Sequence, residues 1–217
     1  MMLLDFLYPP KCKICNTRIK KGVICPFCVE KLDYCMSVSE RTINVEQEQI
    51  GIRVLFPYEN DTVKALLFAL KRKANRELFI LISTLFQKTL KNDKEQITVV
   101  NVPRSRENIK KYGYDHIKIP CKILCRKNKK LTYSEVLKRC KEGSEQKNLD
   151  AFQRKENVKD NFVAVKKDIH RNILLVDDVV TTASTACECI KELRKIYKDS
   201  NISCIFLAET GSHFPGE

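Results

Sequence analysis

The sequence predicts an α/β fold, a parallel sheet flanked by helices, preceded by a small cysteine-rich module. Three observations predict it. Past residue 50, short apolar runs alternate with stretches of helical spacing, and alternating strands and helices imply parallel strands joined by helical crossovers. The apolar run Ile173, Leu174, Leu175, Val176 leads into two acids and a hydroxyl-rich segment, then into a helical pattern from Ala186 to Tyr197. Two Cys-x-x-Cys pairs, Cys12/Cys15 and Cys25/Cys28, stand at the front. At 217 residues and 43% hydrophobic content, the chain can fill one substantial core and carry an appendage. We expect a module over residues 1–49 and the α/β domain over 50–217.

The elements follow from local pattern. Residues 42–50 are polar and read as a connector, and 52–58 as a strand. Asn60, Asp61 and Thr62 offer an N-cap for a helix over 63–70 that ends in Lys71, Arg72 and Lys73. A second helix is expected over 77–90 and a strand over 97–102, stopped by Pro103. A basic stretch, read as a loop, precedes a helix over 117–126. Residues 131–160 are polar and only partly helix-prone. Strands are expected at 162–165, 173–176 and 202–207.

The segment from Asp177 to Thr185 carries the chemistry. Read as a turn between strand and helix, it falls where open α/β sheets bind ligands. Adjacent carboxylates, Asp177 and Asp178, can accept bonds from the vicinal hydroxyls of a ribose. Helix-start amides near Thr181, Thr182, Ala183, Ser184 and Thr185 carry unpaired N–H groups and positive partial charge, which suits a phosphate. The plainer alternative is a capped turn with no ligand.

Forty Lys and Arg against 27 Asp and Glu give a net charge of +13. Residues 104–141 alone hold 13 basic and 3 acidic side chains, which points to an anionic partner, with a solvated Lys-rich surface as the alternative. Eleven cysteines would suggest disulfides in a secreted chain. No secretory leader pattern or membrane-length apolar run is visible, so reduced thiols and a cytoplasmic location without membrane insertion are expected. Cys12, Cys15, Cys25 and Cys28 then read as the ligands of a structural zinc, with nine residues between the pairs. The remaining cysteines read as small buried hydrophobes, with Cys35 a spare thiol or substitute ligand. Phosphate-binding and dinucleotide glycine loops are missing, so neither an NTPase nor a dinucleotide enzyme is indicated.

The segment Asp177 to Thr185 resembles the phosphoribosyl-pyrophosphate signature of type I phosphoribosyltransferases, with Ala183 where that family usually has glycine. Together with the cysteine pairs, the chain is similar to the ComF family of competence-associated, phosphoribosyltransferase-like proteins with an N-terminal zinc module. The likeness extends to Leu3 through Cys12, to Tyr58 followed by Leu70 and Lys71, and to Val99 through Pro103. Tyr112, Gly113, Tyr114, Asp115 and His116 stand where the family carries Arg-Gly-Phe-Asn-Gln. Gln146, Arg154, Asn157 and Phe162 match a further pattern.

The resemblance implies that Asp177 and Asp178 hold the ribose and serve catalysis where there is any, and that residues 181–185 hold the 5′-phosphate. It implies that Lys71, Arg104, Lys110 and Lys111, with Arg106, meet pyrophosphate or nucleic acid, and that Mg²⁺ accompanies phosphoribosyl pyrophosphate. Single-stranded DNA and a competence helicase, the latter through the zinc module, are the implied partners. His116 reads as a hydrogen-bonded or exposed residue more readily than a general base. An active phosphoribosyltransferase with a nitrogen acceptor is the alternative, and a purine or pyrimidine salvage enzyme a weaker one, since those chains do not begin with a zinc knuckle.

Overall fold

The computed structural model describes residues 10–90, 95–140 and 161–211. The opening at 3–9, Gln146 and the motif at 154–157 lie outside the described residues. Within them the chain runs α1 (Pro26–Cys35), β1 (Ser39–Val45), β2 (Glu48–Pro57), α2 (Asp61–Arg72), α3 (Arg76–Thr89) and β3 (Ile97–Asn101). It continues through α4 (Arg106–Tyr112), α5 (Lys118–Lys127), β4 (Leu131–Tyr133), β5 (Leu137–Arg139), β6 (Phe162–Ala164), β7 (Asn172–Val180), α6 (Ser184–Ile196) and β8 (Asn201–Glu209).

Six strands form one sheet in the order β1-β2-β8-β7-β3-β4, parallel except for the β1–β2 hairpin. The expected α/β class, a parallel sheet flanked by helices, is the class observed. Strand alternation sends side chains to opposite faces. Leu174 and Val176 of β7 join Leu66 and Leu70 of α2, Ile82 and Phe86 of α3 and Leu124 of α5 on one face. Ile173 and Leu175 join Cys189, Ile190 and Leu193 of α6 on the other, with Leu137 and Phe162 of the small β5–β6 sheet. Burying each such Leu, Ile or Phe contributes about 1.5–3 kcal/mol.

Four expectations are corrected. Residues 42–50 are not a connector: Ser39–Val45 pairs with β2 in register from Ser39↔Val54 to Val45↔Glu48, so the hairpin spans the boundary expected at 49/50. Its buried Ile43 and Val45 alternate with exposed polar residues, a half-buried edge strand whose few apolar positions hid the pattern. Asp177 and Asp178 are not in a turn, because β7 continues to Val180 and pairs with β8 as far as Val180↔Glu209. The basic stretch is not a loop over 106–112. It forms α4, capped by Ser105 accepting from Asn108 N and ended by Gly113 in the left-handed region at φ 80°. Finally, the segment after 131 contributes strands β4 and β5, and β6 pairs antiparallel with β5 outside the main sheet.

Side chains set the helix starts, at Asn60 as expected. Asn60 accepts from the amides of Thr62 and Val63, and Asn75 from Leu78 N. No helix among the described residues is long and apolar enough to cross a membrane.

Candidate functional site

Two clusters of chemically able side chains are present. In the first, the sulfurs of Cys12, Cys15, Cys25 and Cys28 all lie within 4.8 Å of one another. Tetrahedral zinc with Zn–S bonds near 2.3 Å needs sulfurs about 3.8 Å apart. The Cys15–Cys25 separation of 3.6 Å is close to that spacing. The backbone prepares the geometry: Asn16 turns at φ 59° and Gly22 at φ 89°, while Asn16 N donates to Cys12 O and Lys13 N to Val23 O. Cys25 N donates to Cys12 Sγ at 3.3 Å, the amide-to-sulfur contact that steadies a ligand thiolate. These four residues could therefore hold a structural zinc. Cys35 is outside the cluster, its thiol donating to Leu32 O. Leu32 of α1 packs into the core beside α2, and Lys88 bridges to Asp33, so the knuckle is seated on the sheet's helical layer.

The second cluster sits at the C-terminal end of β7. Asp178 Oδ2 accepts from Lys71 Nζ at 2.7 Å and contacts His116 Nε2 at 2.6 Å. Three elements supply it: β7 brings Asp178, the last turn of α2 brings Lys71, and the segment before α5 brings His116. The Asp178 and His116 side chains are 12% and 9% exposed, whereas Lys71 is 41% exposed. Burial alone would raise the Asp178 pKa, but the Lys71 ammonium and the His116 bond outweigh it and hold the carboxyl well below its usual range. Asp177 moves the other way. Burial and then the neighbouring Asp178 charge raise it well above the carboxylate range, though its Oδ1 accepts Asp178 N at 2.9 Å. Burial would lower the Lys71 pKa, yet Asp178 raises it on balance. The two acids are thus pushed apart, one held ionised and one pushed toward its neutral form.

Past β7, Thr181 is exposed, Thr182 and Ser184 share a hydrogen bond at 2.8 Å, and Ser184 opens α6. Ala183 precedes it at φ 56°, ψ 4°, with no side-chain cap on the first amides. A non-glycine residue in the left-handed region costs roughly 1–2 kcal/mol. A backbone conformation that favours glycine is therefore present with alanine in it.

Arg104 is engaged in the scaffold. Its guanidinium donates to Tyr114 O at 3.0 Å and Lys71 O at 2.9 Å, and lies over the Tyr112 and Tyr114 rings. Tyr114 Oη donates to Leu70 O at 2.6 Å, so these two side chains satisfy C-terminal carbonyls of α2 and fix the helix end that carries Lys71. Asp115 ties the segment down: Oδ1 accepts from Ile117 N and Lys118 N, Oδ2 from Asn101 Nδ2 and Arg104 N. Arg106, Lys110 and Lys111 are exposed on α4.

The sequence gives no sign of roles for Asp115, Tyr114 and Asn101, while His116 is hydrogen-bonded, one of the two alternatives expected of it. Only the fold brings them together. The exposed aromatics Phe27 (59%) and Phe68 (57%) were also passed over, each beneath a cation one helical turn on: Lys31 at 4.6 Å and Arg72 at 4.1 Å. Their Phe-x-x-x-Lys/Arg spacing was a signal in the sequence. A hollow of about 300 Å³ lined by Thr84, Gln87, Leu124 and Lys127 of α3 and α5 shares no residue with either cluster.

The chain is similar to Competence protein F of Haemophilus influenzae, with 42% identity over 66 residues. The matched stretch covers 29% of this chain and 29% of that protein. No family model matches the chain. The likeness to competence-associated proteins read from the sequence is met by this relative.

Proposed function

We propose that this protein binds phosphoribosyl pyrophosphate with Mg²⁺ at the C-terminal end of β7 and acts in the cytoplasm in a competence-related handling of DNA. The supporting observation is Asp178 near the end of a central strand, 2.7 Å from Lys71 Nζ, with the uncapped start of α6 following six residues on. Asp178, with Asp177, accepts ribose hydroxyls. The amides and hydroxyls of residues 181–185 receive the 5′-phosphate, favoured by the helix start. Lys71 neutralises the pyrophosphate, and Lys110 and Lys111 add a positive field at longer range. Arg104 contributes by holding the α2 end in place.

Single-stranded DNA is the proposed macromolecular partner. Its phosphates would meet the basic surface, and Phe68 and Phe27 with their flanking cations offer stacking faces for bases. A helicase partner would dock on the zinc knuckle, where Tyr34 of α1 is 93% exposed.

Catalytic transfer is the second reading, favoured by adjacent carboxylates at a strand end with Lys71 Nζ 2.7 Å from Asp178. Pyrophosphate would leave C1 of the ribose with its bonding pair as a nitrogen nucleophile forms the new bond. The protein's part would be orientation and neutralisation of the leaving group.

Calorimetric titration with phosphoribosyl pyrophosphate and Mg²⁺ tests the binding site. The double variant Asp177→Asn, Asp178→Asn should lose detectable binding while its zinc content stays at the wild-type value. Wild-type affinity in the double variant would remove the assigned site. Release of pyrophosphate on addition of nitrogen acceptors would separate the enzymatic reading from binding alone.

A further inference from the structure

We infer that His116 is the positioning residue that keeps Asp178 fixed and partnered when Lys71 leaves it for the ligand's phosphate. This rests on the phosphoribosyl reading above and assigns a division of labour within that site. Both donors share one carboxylate oxygen, Oδ2. Among the described residues, no bond is made to Asp178 Oδ1, which leaves that oxygen for a ribose hydroxyl.

The two donors differ in freedom. Lys71 is 41% exposed on a long side chain and can turn toward an incoming anion, whereas His116 is 9% exposed. Its backbone is set by Asp115, which accepts the next two amides on one oxygen and ties to Asn101 and Arg104 N on the other. Gly113 at φ 80° makes the turn into this segment. A buried carboxylate stripped of one cation needs its remaining donor. His116 Nδ1 is buried with no hydrogen-bond partner, so Nε2 is the ring nitrogen that meets the carboxylate, and an ionised carboxylate can only accept.

Binding of ribose 5-phosphate and of phosphoribosyl pyrophosphate with Mg²⁺ to wild type, His116→Ala, His116→Gln and Lys71→Met tests this. His116→Ala should weaken phosphoribosyl pyrophosphate about tenfold to a hundredfold, the range for losing a hydrogen bond to a charged group, and ribose 5-phosphate by less, because Lys71 then stays on Asp178. His116→Gln, whose amide can still donate to Asp178, should recover most of that loss. Lys71→Met should weaken phosphoribosyl pyrophosphate more than ribose 5-phosphate, because only the former carries the pyrophosphate.

Wild-type affinity for both ligands in His116→Ala overturns the inference while leaving the binding site standing. Equal losses in His116→Ala and His116→Gln, with unchanged zinc content and melting temperature, also overturn it, since a donor at that position would then be irrelevant. A wild type that binds neither sugar phosphate removes the site itself and this role with it.

Discussion

The four-cysteine knuckle and the Asp178 cluster are both small sets of ligating side chains, built in opposite ways. All four cysteines fall between residues 12 and 28, held by turns at Asn16 and Gly22. His116 and Asp178 are 62 residues apart in sequence, and Lys71 comes from a third element. The knuckle has almost no core of its own: its buried side chains are Cys12, Cys25 and Cys28, with Ile14, Ile19 and Ile24 partly covered and Cys15 exposed. A structural zinc held there would contribute about 10–16 kcal/mol of apparent binding energy, enough to order a segment with so little core. The Asp178 cluster is the reverse. It depends on β7, the end of α2 and the segment before α5 to bring its parts together. One site makes its local fold, and the other is made by the global fold.

Metal removal gives the largest expected difference between them. Chelation should unfold the knuckle and expose Cys12, Cys15, Cys25 and Cys28 to alkylation, while most of the sheet's circular dichroism remains. Mass spectrometry before chelation should find Cys140, which is exposed, labelled first. Cys125, pushed up to about 12 by burial, should resist at pH 8 in both states, as should the fully buried Cys121 and Cys189. Early labelling of Cys125 on chelation would show that the α5 layer depends on the metal too, and the contrast would fail.

DNA binding is the next largest effect. Affinity for single-stranded DNA should fall steeply as salt rises, since phosphate contacts release counterions. Phe68→Ala should weaken it by about 1–3 kcal/mol at every salt concentration without changing the slope. A salt-independent affinity would exclude the basic surface as the contact.

The smaller effects sharpen the long-range side of the comparison. Tyr114→Phe removes the bond to Leu70 O and should cost about 1 kcal/mol in denaturant unfolding. It should also weaken phosphoribosyl pyrophosphate by loosening the α2 end that carries Lys71. Unchanged ligand affinity would mean that Lys71 does not need that anchor. Ala183→Gly relieves the left-handed strain at φ 56° but makes the unfolded chain freer, for a net gain of about 0.5–1 kcal/mol. Phosphate affinity should rise with it, and a loss would show that the alanine methyl is part of the site.

Legibility in the sequence followed the range of the interactions. Asn60 marks a helix start because capping is decided within three residues, and its cap is present; Asn75 caps the next helix by the same local rule. The apolar runs of β3, β7 and β8 were visible because strands buried on both faces are apolar throughout. β1 was not, since only Ile43 and Val45 of its seven residues are buried apolar ones. The end of β7 was misplaced for a related reason. Acids after an apolar run look like a turn, and only hydrogen bonding to β8 carries the strand on to Val180.

The sequence by itself determined the α/β class and the four-cysteine cluster, because each is written in residue patterns local to the chain. The tertiary structure alone decided which oxygen of Asp178 is occupied, that Arg104 braces a helix instead of standing free, and that His116 meets a carboxylate 62 residues away. Those outcomes turn on which side chains the sheet brings within about 3 Å of each other, and hydrogen bonds and ion pairs are set by that distance rather than by position in the sequence.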